Sequence, residues 1–207
     1  MRATRGFGIA MAAAVARDYE HLDVLLNNAG VFHTPDTRTA AGLDVRFAVN
    51  TLAPVLLAQR LAPQLDATSR IVNVSSAAQA PVSLAALEGS EPVENDFSAY
   101  AQSKLAITMW SRHLAGTHKD VAVIAVNPGS LLASKMVKEG FGISGNDLSI
   151  GSDILCRAAL CQDFASASGL YFDNDAGDFG PPHSDALDPA KSAAVTAEVD
   201  ALVKRYG

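Results

Sequence analysis

Three short apolar runs constrain the fold of this chain more than any other feature: Leu22-Asp23-Val24-Leu25-Leu26-Asn27, Arg70-Ile71-Val72-Asn73-Val74-Ser75 and Val121-Ala122-Val123-Ile124-Ala125-Val126-Asn127. Each is too short for a helix, and the last two are rich in β-branched residues at both odd and even positions, as in a strand buried on both faces of a parallel sheet. Turn residues and then a stretch of helical periodicity follow each run, which gives a βαβαβ order and an α/β fold. A fourth strand is expected at 168–173. Helices are expected from Thr39 to about Leu61, over 98–116 with Ser98 as N-cap, over 147–162, and from about Pro189, the last packing on the surface.

The 207 residues, 49% hydrophobic and 18% charged, suit a single domain over 1–207 with a sizeable core. A net charge of −6 with no basic cluster argues against nucleic acid and anionic membranes as partners. No apolar run reaches the roughly 18 residues of a membrane span. Cys156 and Cys161 lie in one helix-like stretch without zinc spacing, so buried thiols, no metal and a reducing, cytoplasmic compartment are expected.

The start of the chain has some signal-peptide character, with Arg2 and Arg5 before an alanine-rich run to Ala16. That run passes through Arg17-Asp18-Tyr19-Glu20 straight into the first strand, so a helix is expected there. Gly6-Phe7-Gly8 has no strand before it and no third glycine, and is not read as a phosphate loop.

Open α/β sheets bind ligands at the carboxyl ends of their strands. Those ends carry Asn27-Asn28-Ala29-Gly30, whose small residues let a ligand approach the backbone, then Ser75-Ser76, then Pro128-Gly129. On the 98–116 helix, Tyr100 and Lys104 lie one turn apart on one face. A neighbouring cation favours the phenolate over a phenol that otherwise titrates near ~10, which would make Tyr100 a proton donor and acceptor. His33, His113, His118 and His183 are scattered and are read as surface residues.

In this order, Asn27-Asn28-Ala29-Gly30, Asn50 in a helix, Ser76, Tyr100 with Lys104, and Pro128-Gly129 resemble the short-chain dehydrogenase/reductase family over about residues 20–175. The 24-residue step from Ser76 to Tyr100 and the run Ser98-Ala99-Tyr100-Ala101-Gln102-Ser103-Lys104-Leu105-Ala106 are similar to its retinol-dehydrogenase-like and protochlorophyllide-reductase-like branches. The resemblance implies a Rossmann-like parallel sheet with flanking helices, NAD or NADP as cofactor, and a small-molecule carbonyl or alcohol substrate. It implies Tyr100 as acid/base and Ser76 as the holder of the substrate oxygen, with Ser75 as fallback. Lys104 would lower the Tyr100 pKa and bond the nicotinamide ribose, and Asn50 would continue a proton path through water. Asn28, Ala29, Gly30, Tyr100, Lys104, Pro128 and Gly129 would contact the cofactor. Ala133 stands where the family usually has a threonine, which makes Ser134 the candidate substitute, and the glycine-bearing stretch after Gly129 corresponds to a mobile lid. Homo-oligomers would form through the helices at about 43–62 and 98–116.

A complete family member begins with a strand, a Thr-Gly-x-x-x-Gly-x-Gly turn and a helix whose N–H groups hold the cofactor diphosphate. Only about twenty residues precede the Asn27 strand, so the expectation is an N-terminally truncated Rossmann-like fold with about four retained strands. The 22–27 strand would then be an edge prone to pairing or aggregation, with marginal stability or self-association as the result. The other reading of function is a catalytically inactive remnant serving as a binding or interaction module. A sugar-nucleotide epimerase or dehydratase is disfavoured by length.

In Phe47-Ala48-Val49-Asn50-Thr51-Leu52-Ala53-Pro54, the proline lacks the N–H that would bond the carbonyl of residue 50. A kink there would offer the Asn50 main-chain oxygen to water. The alternative is that Pro54 merely bends a helix packed on the sheet.

Overall fold

In the computed structural model, residues 3–134, 136–138 and 142–207 are described. Met1 and Arg2 of the basic start, and Lys135 and residues 139–141 of the stretch after Gly129, lie outside them.

The apolar runs form strands β1 (Val24–Asn27), β2 (Arg70–Val74) and β3 (Ala122–Asn127), joined by β4 (Tyr171–Asp173) and β5 (Asp178–Gly180). The sheet order is β1-β2-β3-β4-β5, parallel from β1 to β4. Strand β5 is a fifth, antiparallel member that corrects the four-strand expectation. It forms because Asp173 accepts the Gly177 N–H at 2.8 Å with Gly177 at φ 75°, a turn that folds the chain back on β4.

Alternate residues of β2 and β3 feed two cores. Ile71 and Val123 face a large cluster with Phe47, Val55, Leu105, Met109, Trp110 and Leu202. Val72, Ile124 and Val126 face a smaller one with Ile154, Phe164 and Phe172. Helices α3 (Ala53–Arg60), α5 (Asp96–Thr117) and α7 (Pro189–Tyr206) build the first, and α6 (Leu148–Leu160) builds the second. Both faces of β2 and β3 are therefore covered, which is why these strands are continuously apolar. Helix α7 is no surface appendage: Val195, Val199, Leu202 and Val203 are buried against the core that α5 shares.

Strand β1 differs. Among the described residues it pairs with β2 alone, and only one of its faces is well covered. Leu25 packs on the large core, whereas Leu26, in register with Val72, is 40% exposed because α6 does not reach that far. The N-terminal helix α1 (Ala3–Asp18) packs on α3 rather than beside β1.

Helix starts follow cap chemistry. Asn95, not Ser98, caps α5 by accepting the Ser98 N–H at 2.9 Å. The helix expected from Thr39 begins later, at α2 (Val45–Phe47), capped by Asp44. Residues 39–43 instead make a turn in which Gly42 adopts φ 82° and Thr39 donates its N–H to the Leu43 carbonyl at 2.8 Å. The remaining short helix is α4 (Leu84–Leu87), within the connection from β2 to α5. Between α2 and α3, Ala48–Leu52 is one π turn, closed by the Ala53 N–H on the Ala48 carbonyl. The widened turn resets the ladder so that Pro54 falls in the first turn of α3, where a missing N–H costs little.

Cys156 and Cys161 are exposed, which corrects the buried-thiol reading. Only the face of α6 that carries Gly151, Ile154 and Ala158 meets the sheet, and Cys161 sits past the helix end.

Candidate active site

The ends of β1 and β2, the π turn and the first turns of α5 meet at one edge of the sheet. Past β2, Ser75 turns inward, its Oγ 2.6 Å from Thr108 Oγ1 and only 1% exposed. Ser76 faces the other way. Its Oγ accepts the Ala78 N–H at 3.1 Å, which leaves the hydroxyl proton to be donated elsewhere. Its influence on the Tyr100 phenol is to lower that group's pKa.

Burial is the larger influence on Tyr100 and pushes the phenol above its ordinary value. This differs from the expectation that Lys104 would hold it down. The Lys104 ammonium sits 5.6 Å from the Tyr100 ring centroid and donates instead to the Val74 carbonyl at 2.7 Å, so it does not neutralise the phenolate directly. Phe32 meets the Tyr100 ring edge-on, with centroids 5.3 Å apart, and fixes its tilt.

Lys104 is 3% exposed, and that burial lowers its pKa from 10.5 to about 8. The unfolded chain therefore binds the extra proton between these two values, and stability rises with pH across that window. Below it the buried charge costs about 3 kcal/mol. Denaturant unfolding at a series of pH values should show this gain from about pH 8 upward, and Lys104→Met should flatten it. Parent and variant curves with the same slope would refute the assignment.

Asn50, 2% exposed, works through its side chain. Its Oδ1 accepts the Val31 N–H at 2.8 Å, and its Nδ2 donates to the Val31 carbonyl at 2.9 Å and to Ser103 Oγ at 3.0 Å. Ser103 in turn donates to the Tyr100 carbonyl at 2.7 Å. Asn50 thus ties the loop after β1 to the helix that carries Tyr100.

Gly30 lies inside this arrangement. A Cβ there would stand 3.4 Å from Asn50 Oδ1 and 3.6 Å from Lys104 Nζ, so the glycine keeps open a space next to the ammonium. Asn28 and Ala29 are exposed beside it. Pro128 and Gly129 sit at the end of β3, with Gly129 at φ 120°, and belong to a separate tie: Asn174 donates to the Pro128 carbonyl at 3.0 Å, and Asp175 accepts the Ser130 N–H at 2.8 Å. Ala133 offers no side-chain polar group. Ser134 Oγ is engaged by the Val137 N–H at 3.3 Å.

Several contributing residues escaped the sequence reading. Asn174 and Asp175 lie just past a strand end and could have been suspected on that ground. His33 is exposed but not idle: its Nδ1 lies 2.6 Å from Asp96 Oδ2, at the first turn of α5. Arg46 grips Asp44 at 2.7 Å and Asp96 at 2.8 Å from a buried position. Gln79 and Tyr171 reach the Ser76 main chain, and nothing in their local pattern signals it. Among the described residues no group of His, Cys, Asp and Glu could hold a metal ion, and no helix is long and apolar enough to cross a membrane.

Comparison with known proteins gives a consistent result. Residues 5–141 match the family model for short chain dehydrogenases. Retinol dehydrogenase 13 from Homo sapiens is 32% identical over 186 residues, which span 78% of this chain and 55% of the human protein. The chain spans about half the length of the curated relatives it matches. An uncharacterized protein from Mycobacterium paratuberculosis superposes with a TM-score of 0.68 at 25% identity, covering 95% of this chain and 72% of the other. The NADPH-bound carbonyl reductase from chicken fatty liver gives a TM-score of 0.58 at 24% identity over 85% of this chain and 73% of the other, a likeness of fold.

Proposed function

Because the chain belongs to the short-chain dehydrogenase family, we propose that it interconverts a carbonyl and an alcohol with NAD or NADP, Tyr100 acting as acid and base. The observation that carries this reading is the Lys104 ammonium 5.6 Å from the Tyr100 ring centroid and beside the space kept by Gly30, with Ser76 at the same strand end and lowering the Tyr100 pKa.

The residues present fit the nicotinamide ribose end of such a cofactor. Lys104 spends one of its three donors on Val74, and two remain beside the Gly30 space for ribose hydroxyls. Asn28, Ala29 and Gly30 supply small side chains for close approach, and Pro128 and Gly129 bound the neighbouring strand end. Gly6 and Gly8 fall within helix α1 and form no phosphate loop. A bound nicotinamide supplies the hydride.

The chain's own part is to hold and move a proton. Ser76, oriented by Ala78, donates to the substrate oxygen and holds it against Tyr100. Tyr100 gives its phenolic proton to that oxygen in reduction and takes it back in oxidation. Burial keeps the phenol protonated until then, and Lys104 stabilises the phenolate as it forms. Asn50 lies in the π turn just ahead of Pro54, and its main-chain oxygen is the group this reading gives to a water that continues the proton path.

The relatives' names point to a long apolar alcohol or aldehyde as substrate. Titrating NADPH and NADH into the purified chain, followed by the nicotinamide fluorescence, should show saturable binding of at least one. Absence of binding by both would refute the oxidoreductase reading and favour a binding module.

A further inference from the structure

Two side chains from outside the catalytic set converge on the main-chain oxygen of Ser76. The Tyr171 hydroxyl, from β4, donates to it at 3.0 Å, and the Gln79 side-chain amide donates to it at 2.9 Å. Both lone pairs of one carbonyl are thereby used by side chains. Gln79 is itself anchored, since its Oε1 accepts the His183 N–H at 3.1 Å. His183 is half-buried rather than the free surface residue its sequence context suggests, and its Nδ1 accepts the Asp185 N–H at 3.2 Å. Beside them lies a cavity of about 170 Å³ bounded by Ala77, Tyr171, Asp173, Pro182 and His183.

This bracing falls where the sheet stops supplying any. The Ser75 N–H on the Val126 carbonyl, at 2.8 Å, is the last ladder bond of that segment, and the Ser76 peptide lies beyond it. Rotation about the Ser76 N–Cα bond carries the carbonyl carbon and the Cβ together, so a carbonyl held in place also holds the Cβ and the hydroxyl it bears. We infer that Tyr171 and Gln79 are positioning residues that lock the Ser76 peptide, and so aim its hydroxyl, from the C-terminal hairpin. The inference rests on the reading of Ser76 as the holder of the substrate oxygen. Tyr171 is well suited to this role. Its ring is 4% exposed, and burial together with the nearby Asp173 charge pushes its phenol well up, so it stays a donor at any working pH. The hairpin thereby acquires a function besides closing the sheet.

Tyr100 reports where Ser76 points, because the Ser76 hydroxyl lowers its pKa. The test therefore needs neither cofactor nor turnover. Ring-labelled tyrosine would be followed by carbon NMR through an alkaline titration of the whole chain, the Tyr100 signal among the four tyrosines being identified by its loss in Tyr100→Phe. Ser76→Ala sets the scale by moving the Tyr100 titration upward. Tyr171→Phe and Gln79→Leu should each move it upward by more than half as much, and Gln79→Glu, which keeps the oxygen for His183 but loses the donor, should behave like Gln79→Leu. Thermal unfolding recorded in parallel separates positioning from packing. If Ser76→Ala moves Tyr100 while Tyr171→Phe and Gln79→Leu only lower the unfolding midpoint, the two residues are structural and the inference is overturned. If Ser76→Ala leaves Tyr100 in place, the Ser76 reading itself fails and the brace with it.

Discussion

Tyr100→Phe is expected to lower turnover by about 10²–10⁴-fold, the range by which a positioned proton donor accelerates such a step. Cofactor binding should stay within a few-fold of the parent, because the ring and its edge-on contact with Phe32 persist. The unfolding midpoint should not fall, since the lost hydroxyl leaves Ser76 half-exposed and able to bond water. The pH dependence sharpens the test. In the parent, reduction should decline as Tyr100 loses its proton above the ordinary phenol range, and the residual rate of the variant should lack that limb. A variant that turns over at the parent rate would remove Tyr100 from the chemistry while leaving the family assignment intact.

The second large effect is on stability. Arg46→Met is expected to cost about 3–5 kcal/mol, because removing the arginine leaves the buried Asp44 carboxylate without its counter-ion, while Asp96 keeps His33. Arg46 is 3% exposed and holds Asp44, 6% exposed, at 2.7 Å and Asp96 at 2.8 Å. Its Nε finds no acceptor among the described residues, so the cluster already bears one uncompensated desolvation. Asp44 would suffer most, being both the cap of α2 and the Arg46 partner. Asp96 is held below the usual carboxylate range first by His33 and then by Arg46, so its contribution is present above the unfolded value and lost as pH falls through the folded one. The variant should therefore lose most at neutral pH and approach the parent in acid. Urea unfolding at neutral and acidic pH measures both claims, and a loss under about 1 kcal/mol would show the cluster to be dispensable.

The parts of the fold that were legible are those where one local rule acts alone. Continuous apolar runs such as residues 121–127 announce a doubly covered strand. The catalytic candidates were legible as residue types, since Ser76, Tyr100 and Lys104 stand in a recognisable order. What was not legible depends on long-range partners. Whether the Tyr100 phenol is lowered or raised is decided by how deeply the fold buries it and by the Val74 carbonyl that draws Lys104 aside. The turn at residues 39–43 overrode a plausible helical stretch through a glycine at positive φ. Strand β5 is three residues long and carries a glycine, too little pattern for periodicity to detect. Gln79 lies in the loop after β2, and its anchor on His183 exists only once the chain has closed on itself.

The two margins of the sheet are chemically unequal. At one, β5 is three residues long, antiparallel, begun by the exposed Asp178 and followed at once by Pro181 and Pro182, which cannot donate to a further strand. At the other, β1 offers a straight parallel strand with the apolar Leu26 beside it and neither charge nor proline within Val24–Asn27. Among the described residues the backbone groups on the outer side of β1 are thus open to pairing with a further strand, whereas β5 is blunted by its length, its charge and the prolines after it.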